Sequence, residues 1–223
     1  MRIYVANVKE LKNEALFTKL YNLVDDERRN KIDRYKFMKD KILSLGSGIL
    51  LRLALLEQGF NPMEVNFGYN KFGKPYLLEN EKFCFSLSHS GEMVMCSVSS
   101  CDVGCDVEKV TNIDLEIAKN YFYLDEFKLI NRQESKDEKY DMFFRLWTLK
   151  ESFMKITGLG MSLPLDAFQI KIRDNEIVIK QDFDNREYYF KEYNIDKDYK
   201  FSCCSVINAF PKNTQFVDIK SIV

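Results

Sequence analysis

Asp106 and Glu108 stand two apart in Val103-Gly104-Cys105-Asp106-Val107-Glu108. In an extended chain that spacing puts both carboxylates on one face and Cys105 and Val107 on the other. Glu151 lies in a second stretch, residues 143–155, whose apolar positions recur at a helical period. The three acids form a possible carboxylate cluster. Oxygen donors without cysteine or histidine suit Mg²⁺, with Mn²⁺ as the alternative, and Mg²⁺ held this way also takes substrate phosphate oxygens. Lys31, Lys74, His89 and Lys155 are candidate phosphate contacts, lysine acting as a point charge. Each has an ordinary reading beside this one. Asp-x-Glu can be a solvated strand face, Glu151 and Lys155 an i,i+4 surface pair, and His89 a surface turn residue.

The helix that carries Glu151 organises the chain. Phe143, Leu146, Trp147, Leu149, Phe153, Met154 and Ile156 cover a wide apolar arc, which predicts a helix mostly wrapped in protein. Asp141 is its expected N-cap, and Gly158 and Gly160 its expected stops. Lys150 falls inside the apolar arc and reads as a snorkelling lysine or as a charge that needs a partner. Residues 134–138 read as a charged, exposed loop.

Elsewhere, residues 2–8 read as a short strand and 9–23 as helical. Asp25-Asp26-Glu27 opens a basic helix, its acids in the first turn where the dipole favours them. That segment carries Arg28, Arg29, Lys31 and Arg34, either an anion-binding shoulder or a solvated face. A long apolar helix spans residues 40–58 and ends at Gly59. Strands follow over 64–69, 83–87, 92–98 and 103–108, with Ser88-His89-Ser90-Gly91 as a tight connection. Residues 113–122 and 125–131 read as helices. Residues 168–172, 177–180, 188–193 and 201–206 read as strands, with a turn at Asp174-Asn175 and one more strand near 216–219. Both halves run from a long helix into strands. The first closes on Met95-Cys96-Ser97-Val98, the second on Cys203-Cys204-Ser205-Val206. The expected fold is α+β, two similar pseudo-duplicated lobes, each a small, mostly antiparallel sheet packed with a long helix. The expected division is 1–103 and 104–223.

The chain has 223 residues, 46% hydrophobic and 30% charged, with a formal net charge of −1. It can bury a real core, and no global basic field points to nucleic acid or to a membrane surface. Any anion site must be local. The six cysteines show no zinc-ligand spacing and read as free thiols in a reducing compartment. The N-terminal run turns polar too soon for a signal peptide, and no run reaches transmembrane length. A cytoplasmic protein is expected.

Lys71-Phe72-Gly73-Lys74-Pro75, Phe85-Ser86-Leu87-Ser88-His89-Ser90, Gly104-Cys105-Asp106-Val107-Glu108, the run from Leu146 to Lys155, and Gly158-Leu159-Gly160 occur in one order. Together they closely resemble the Sfp-type 4′-phosphopantetheinyl transferases, the larger two-lobed class. The resemblance covers nearly the whole chain. The combination of Asp-x-Glu with Trp-x-x-Lys-Glu-x-x-x-Lys is highly specific. Cys105 departs from the usual aliphatic residue, on the face away from the acids.

The resemblance implies transfer of the phosphopantetheine arm of coenzyme A to a carrier-protein serine, with release of adenosine 3′,5′-bisphosphate. It implies that Asp106, Glu108 and Glu151 hold Mg²⁺ against the pyrophosphate. Ser88 and His89 would contact the 3′-phosphate and Lys74 coenzyme A. Arg28, Lys31 and Ser44 match further phosphate contacts more loosely. The segment from Gly158 to Tyr189 would dock the apo acyl or peptidyl carrier, with Leu159 and Met161 as apolar contacts. The lobes of one monomer would form the site. Glu151 is the candidate base for the serine proton, directly or through a metal-bound water, and Lys155 could neutralise charge on the leaving phosphate. A non-catalytic coenzyme A or nucleotide-binding module and a metal-dependent nuclease or phosphatase are the competing classes.

Overall fold

The computed structural model describes residues 1–173 and 176–222. Two long helices dominate it, α3 (Met38–Glu57) and α6 (Lys136–Thr157), each lying on its own sheet. The first sheet has the order β11-β1-β5-β4, built from β1 (Arg2–Asn7), β4 (Cys84–Ser90), β5 (Met93–Ser99) and β11 (Gln215–Phe216). The second has the order β6-β10-β9, built from β6 (Val103–Lys109), β9 (Tyr189–Glu192) and β10 (Tyr199–Ser205). Every pairing in these sheets is antiparallel except β1 with β11. This is the expected α+β architecture of two similar lobes. The matching tetrapeptides fall on β5 and on the end of β10 with the residue after it, each an interior strand of its sheet.

Smaller elements complete each lobe. In the first, α1 (Glu14–Tyr21) and α2 (Asp26–Arg34) precede α3, and the hairpin of β2 (Phe67–Tyr69) and β3 (Pro75–Leu77) follows it. In the second, α4 (Glu116–Tyr121) and α5 (Leu124–Asn131) precede α6, and β7 (Gln169–Arg173) pairs with β8 (Glu176–Lys180) beyond it. The expected turn at Asp174-Asn175 lies outside the described residues. A cut at 103/104 leaves one segment on the wrong side. The C-terminal β11 returns to the first sheet, where Val217 and Ile219 enter the core under α3.

Three local readings need correction. The N-cap of α6 is Ser135, not Asp141. The Ser135 hydroxyl accepts from the Glu138 amide, and the Glu138 carboxylate accepts from the Ser135 amide. This reciprocal pair satisfies two amides that a helix start otherwise leaves bare. Residues 136–138 are therefore helix, without apolar period because that turn projects into solvent. Second, Ser88-His89-Ser90 are not a turn but the end of β4. The connection is Gly91-Glu92, with Gly91 in the left-handed region at φ 61°.

Third, Lys150 does not snorkel. It is fully buried, and its ammonium meets Glu126 at 2.8 Å and the carbonyls of Leu165 (2.8 Å) and Phe168 (2.9 Å). Glu126 in turn accepts from the amides of Tyr123 and Ile170. Burial pushes the ammonium pKa down and the carboxyl pKa up, and the mutual attraction opposes both shifts. With three acceptors around its three protons, the charge is satisfied.

Helix α6 sits directly on its sheet. A Cβ on Gly104 of β6 would lie 2.0 Å from the Ser152 carbonyl oxygen, so only glycine admits this approach. On the neighbouring strand the Ser202 hydroxyl donates to the Thr148 carbonyl at 2.6 Å. These contacts bring Glu151 and Lys155 over the strand that bears Asp106 and Glu108.

Candidate active site

One cleft of about 590 Å³ runs along the junction of the lobes. All ten sequence-predicted site residues line it: Arg28, Lys31, Ser44, Lys74, Ser88, His89, Asp106, Glu108, Glu151 and Lys155. They arrive on separate elements. α2 brings Arg28 and Lys31, α3 brings Ser44, and the β2–β3 hairpin brings Lys74. β4 supplies Ser88 and His89, β6 supplies Asp106 and Glu108, and α6 supplies Glu151 and Lys155.

The first lobe contributes the cationic wall. Asp25 caps α2 by accepting from the Arg28 amide at 2.8 Å, which starts the helix so that Arg28 and Lys31 face the cleft. Burial pushes both pKa values down, Asp25 opposing the shift at Arg28. Among the described residues neither side chain has a salt-bridge partner, so both charges are available to an anion. The Ser44 hydroxyl is buried without a hydrogen-bond partner. His89 reaches the cleft surface. Desolvation by the surrounding walls, then the charges of Lys155 and Lys31, push its pKa below the usual value. Lys74 closes one side. Its ammonium donates to the Ile156 carbonyl at 3.2 Å, and Asn70 in the same hairpin donates to the Gly158 carbonyl at 2.8 Å.

The second lobe contributes the acids. Lys155 does not pair with Glu151 one turn away. It crosses to Asp106 Oδ1 at 2.6 Å. Burial opposes its charge, but Asp106, Cys105 and Glu151 outweigh that and raise its pKa. Burial and the Asp106 charge push the Glu108 carboxyl up to about 7. The same two causes raise Glu151. The Ser88 hydroxyl donates its one proton to Asp106 Oδ1 at 2.6 Å. In this arrangement that proton is not free for an anion in the cleft.

Among the described residues no three histidine, cysteine, aspartate or glutamate side chains stand in metal-ligating geometry. The expected cluster of Asp106, Glu108 and Glu151 shares a cleft but is not drawn into one coordination sphere. The residues nevertheless fit a divalent cation. Asp106 Oδ2 is buried and has no partner, a costly state for a carboxylate oxygen. The two acids beside it are pushed toward neutrality by the same crowding, which a cation would relieve.

Sequence reasoning missed three residues. Glu126 completes Lys150, and the need for a buried acid was its only signal. Asn70 ties the hairpin to the end of α6, and no pattern marks it. Ser90 bonds Glu108, and the alternation Ser86-x-Ser88-x-Ser90 was a readable sign. The loop after α6 exposes Met161, while Leu159 packs partly against the core of the second lobe.

A two-lobed α+β chain with cationic and acidic walls facing one interlobe cleft has the layout of an enzyme acting on a phosphorylated substrate. Residues 102–204 match the 4′-phosphopantetheinyl transferase superfamily, and residues 12–101 match the family described as 4′-phosphopantetheinyl transferase, N-terminal. The chain is similar to 4′-phosphopantetheinyl transferase Sfp of Bacillus subtilis (strain 168), 30% identical with all of both chains covered. It is 33% identical to a 4′-phosphopantetheinyl transferase of Bacillus subtilis over 89% of this chain and 88% of that one. It is 32% identical to 4′-phosphopantetheinyl transferase gsp of Aneurinibacillus migulanus over 87% and 81%. The chain belongs to the 4′-phosphopantetheinyl transferases, and within them to the Sfp-type class. No helix among the described residues is long and apolar enough to cross a membrane.

Proposed function

We propose that this enzyme transfers the 4′-phosphopantetheine arm of coenzyme A to a serine of an apo acyl or peptidyl carrier protein. The observation that carries this reading is the convergence of ten side chains from both lobes on one cleft. Serine oxygen attacks the pyrophosphate phosphorus that bears the pantetheine arm. A new oxygen–phosphorus bond forms, and the bond to the bridging oxygen breaks. That oxygen leaves with adenosine 3′,5′-bisphosphate.

The chain's own residues divide this work. Arg28, Lys31 and Ser44 hold phosphate oxygens from the first lobe, and His89 holds the 3′-phosphate. Lys74 anchors the same substrate beside the hairpin. Lys155 leaves Asp106 far enough to neutralise charge growing on the leaving phosphate. Glu151 takes the serine proton. Burial and the Asp106 charge raise its pKa, which makes it a stronger base than a solvated glutamate. Asp106, Glu108 and Glu151 would hold Mg²⁺, or Mn²⁺ as the alternative, and such an ion supplies charge neutralisation at the pyrophosphate.

The carrier docks between Gly158 and Tyr189, where exposed Met161 offers an apolar contact beside the cleft. One chain supplies both lobes, so a monomer suffices. The cysteines are all free thiols, which suits a reducing cytoplasm. The test is the intact mass of an apo carrier incubated with the protein, coenzyme A and Mg²⁺, with an EDTA control. A gain of one phosphopantetheine arm, absent with EDTA, is expected. Coenzyme A binding without any gain on several unrelated carriers would replace this reading with a non-catalytic binding module.

A further inference from the structure

Strands β4 and β6 are edges of different sheets, yet they run side by side in the same direction. Among the described residues no backbone–backbone hydrogen bond joins them. The seam is made by hydroxyls. Ser86, Ser88 and Ser90, alternate residues of β4, accept the amides of Cys105, Val107 and Lys109 at 3.1, 3.3 and 3.2 Å. A hydroxyl used as acceptor still has a proton to give. Ser88 gives it to Asp106 Oδ1 and Ser90 to Glu108 Oε2, both at 2.6 Å. Ser86 makes no such bond to a carboxylate. It completes its part of the seam by accepting the Cys105 thiol proton on its carbonyl at 3.2 Å.

The geometry points to Ser90, with Ser88, as a positioning residue that fixes a carboxylate of the opposite lobe for a divalent cation. The inference rests on the reading of Asp106 and Glu108 as cation ligands. A carboxylate held at one oxygen by a short hydroxyl bond keeps its other oxygen in a set direction. Lost support of this kind typically weakens metal affinity by about 10- to 100-fold. Each of the two serines also bonds the next amide of β6. Lobe registry and carboxylate direction are therefore set by the same atoms, so a shift of one lobe along the other would move both acids.

The test is Mn²⁺ binding to the full chain, followed by electron paramagnetic resonance, with thermal melting of each variant recorded alongside. Ser90→Ala should weaken Mn²⁺ about 10-fold or more. Ser90→Thr keeps the hydroxyl and should bind as wild type, while its near-isostere Ser90→Val should bind as weakly as Ser90→Ala. Ser86→Ala loses a seam bond of the same kind without touching an acid. It should lower the melting temperature and leave Mn²⁺ affinity unchanged. Equal affinity in wild type, Ser90→Ala and Ser90→Val would overturn the positioning role. Wild-type affinity in Asp106→Asn would overturn the cation reading itself, and this inference with it.

Discussion

Glu151 and His89 illustrate how one cleft gives two titratable groups different tasks. Glu151 stands among acids, and burial and Asp106 raise its pKa, so it holds a proton more readily than a solvated glutamate. Glu151→Gln keeps the shape and removes both basicity and charge. Transfer should fall by about 10²–10⁴-fold or more, the range typical of a lost general base. The melting temperature should hold or rise, since a disfavoured charge is gone. Intact-mass time courses and thermal melts check both. His89 is desolvated by the cleft walls and faces the charges of Lys155 and Lys31, which together lower its pKa below the ordinary histidine value, so the free imidazole is neutral at pH 7. A bound phosphate would favour the imidazolium. Coenzyme A binding should therefore take up a proton and tighten as pH falls from about 8 toward 6. For folding the sign is opposite. The unfolded chain protonates His89 first, so stability from this residue is present above about pH 6.5 and is lost below it. Calorimetry in two buffers of different ionisation heat reads the uptake. His89→Ala should abolish it and weaken coenzyme A more than dephospho-coenzyme A, and equal losses would remove the 3′-phosphate contact.

Helix α6 does two jobs from two faces. One turns Glu151 and Lys155 to the cleft. The other carries Lys150 into a cage of Glu126 and the Leu165 and Phe168 carbonyls, with the Phe168 ring 4.3 Å from the charge. That cage fastens α5 and the segment leading into β7 to α6. Lys150→Met would leave Glu126 charged, buried and uncompensated, at a cost of about 3–5 kcal/mol. Adding Glu126→Gln should recover part of the loss, because it removes the buried charge while its one amide oxygen still accepts from one of the two amides, of Tyr123 or Ile170, that Glu126 satisfies. Urea denaturation of the single and double variants measures this. Equal stability of Lys150→Met and wild type would show that the pair contributes nothing net.

The whole molecule is held across its middle by more than the cleft walls. The chain ends by returning to the first lobe, where β11 pairs with β1 and the Val217 amide bonds the Val5 carbonyl at 2.8 Å. Val217 and Ile219 are both buried there. Removing residues 215–223 should destabilise the protein by about 3–6 kcal/mol, the worth of two buried aliphatic side chains. Coenzyme A binding should weaken in parallel, because α3 and Ser44 rest on that core. Thermal melting and calorimetry of the truncated chain test both. An unchanged melting temperature would exclude the strand from the lobe's stability.

Much of this was legible in one dimension because its cause is local. The period of two put Asp106 and Glu108 on one face, since successive residues of any strand point to opposite sides. The helical period and the Glu151–Lys155 spacing located α6, and Gly158 its end. Neither long helix depended on a distant partner to be recognised. What distant atoms decide was not legible. Lys155 had Glu151 one turn away and chose Asp106 on another element, because the better-buried carboxylate attracts it more strongly. The run Ser88-His89-Ser90-Gly91 has turn chemistry in isolation. Its first three residues stay in strand because they pair with Met93 to Met95 of β5, and the amides of β6, further along the chain, bond the Ser88 and Ser90 hydroxyls. Lys150 signalled only a need, and tertiary packing supplied Glu126. The sequence by itself determined which residues face which way along each element, because backbone stereochemistry does that alone. Only the tertiary structure decided which charges meet, because each pairing is a choice among partners that come within reach only once distant elements have packed together.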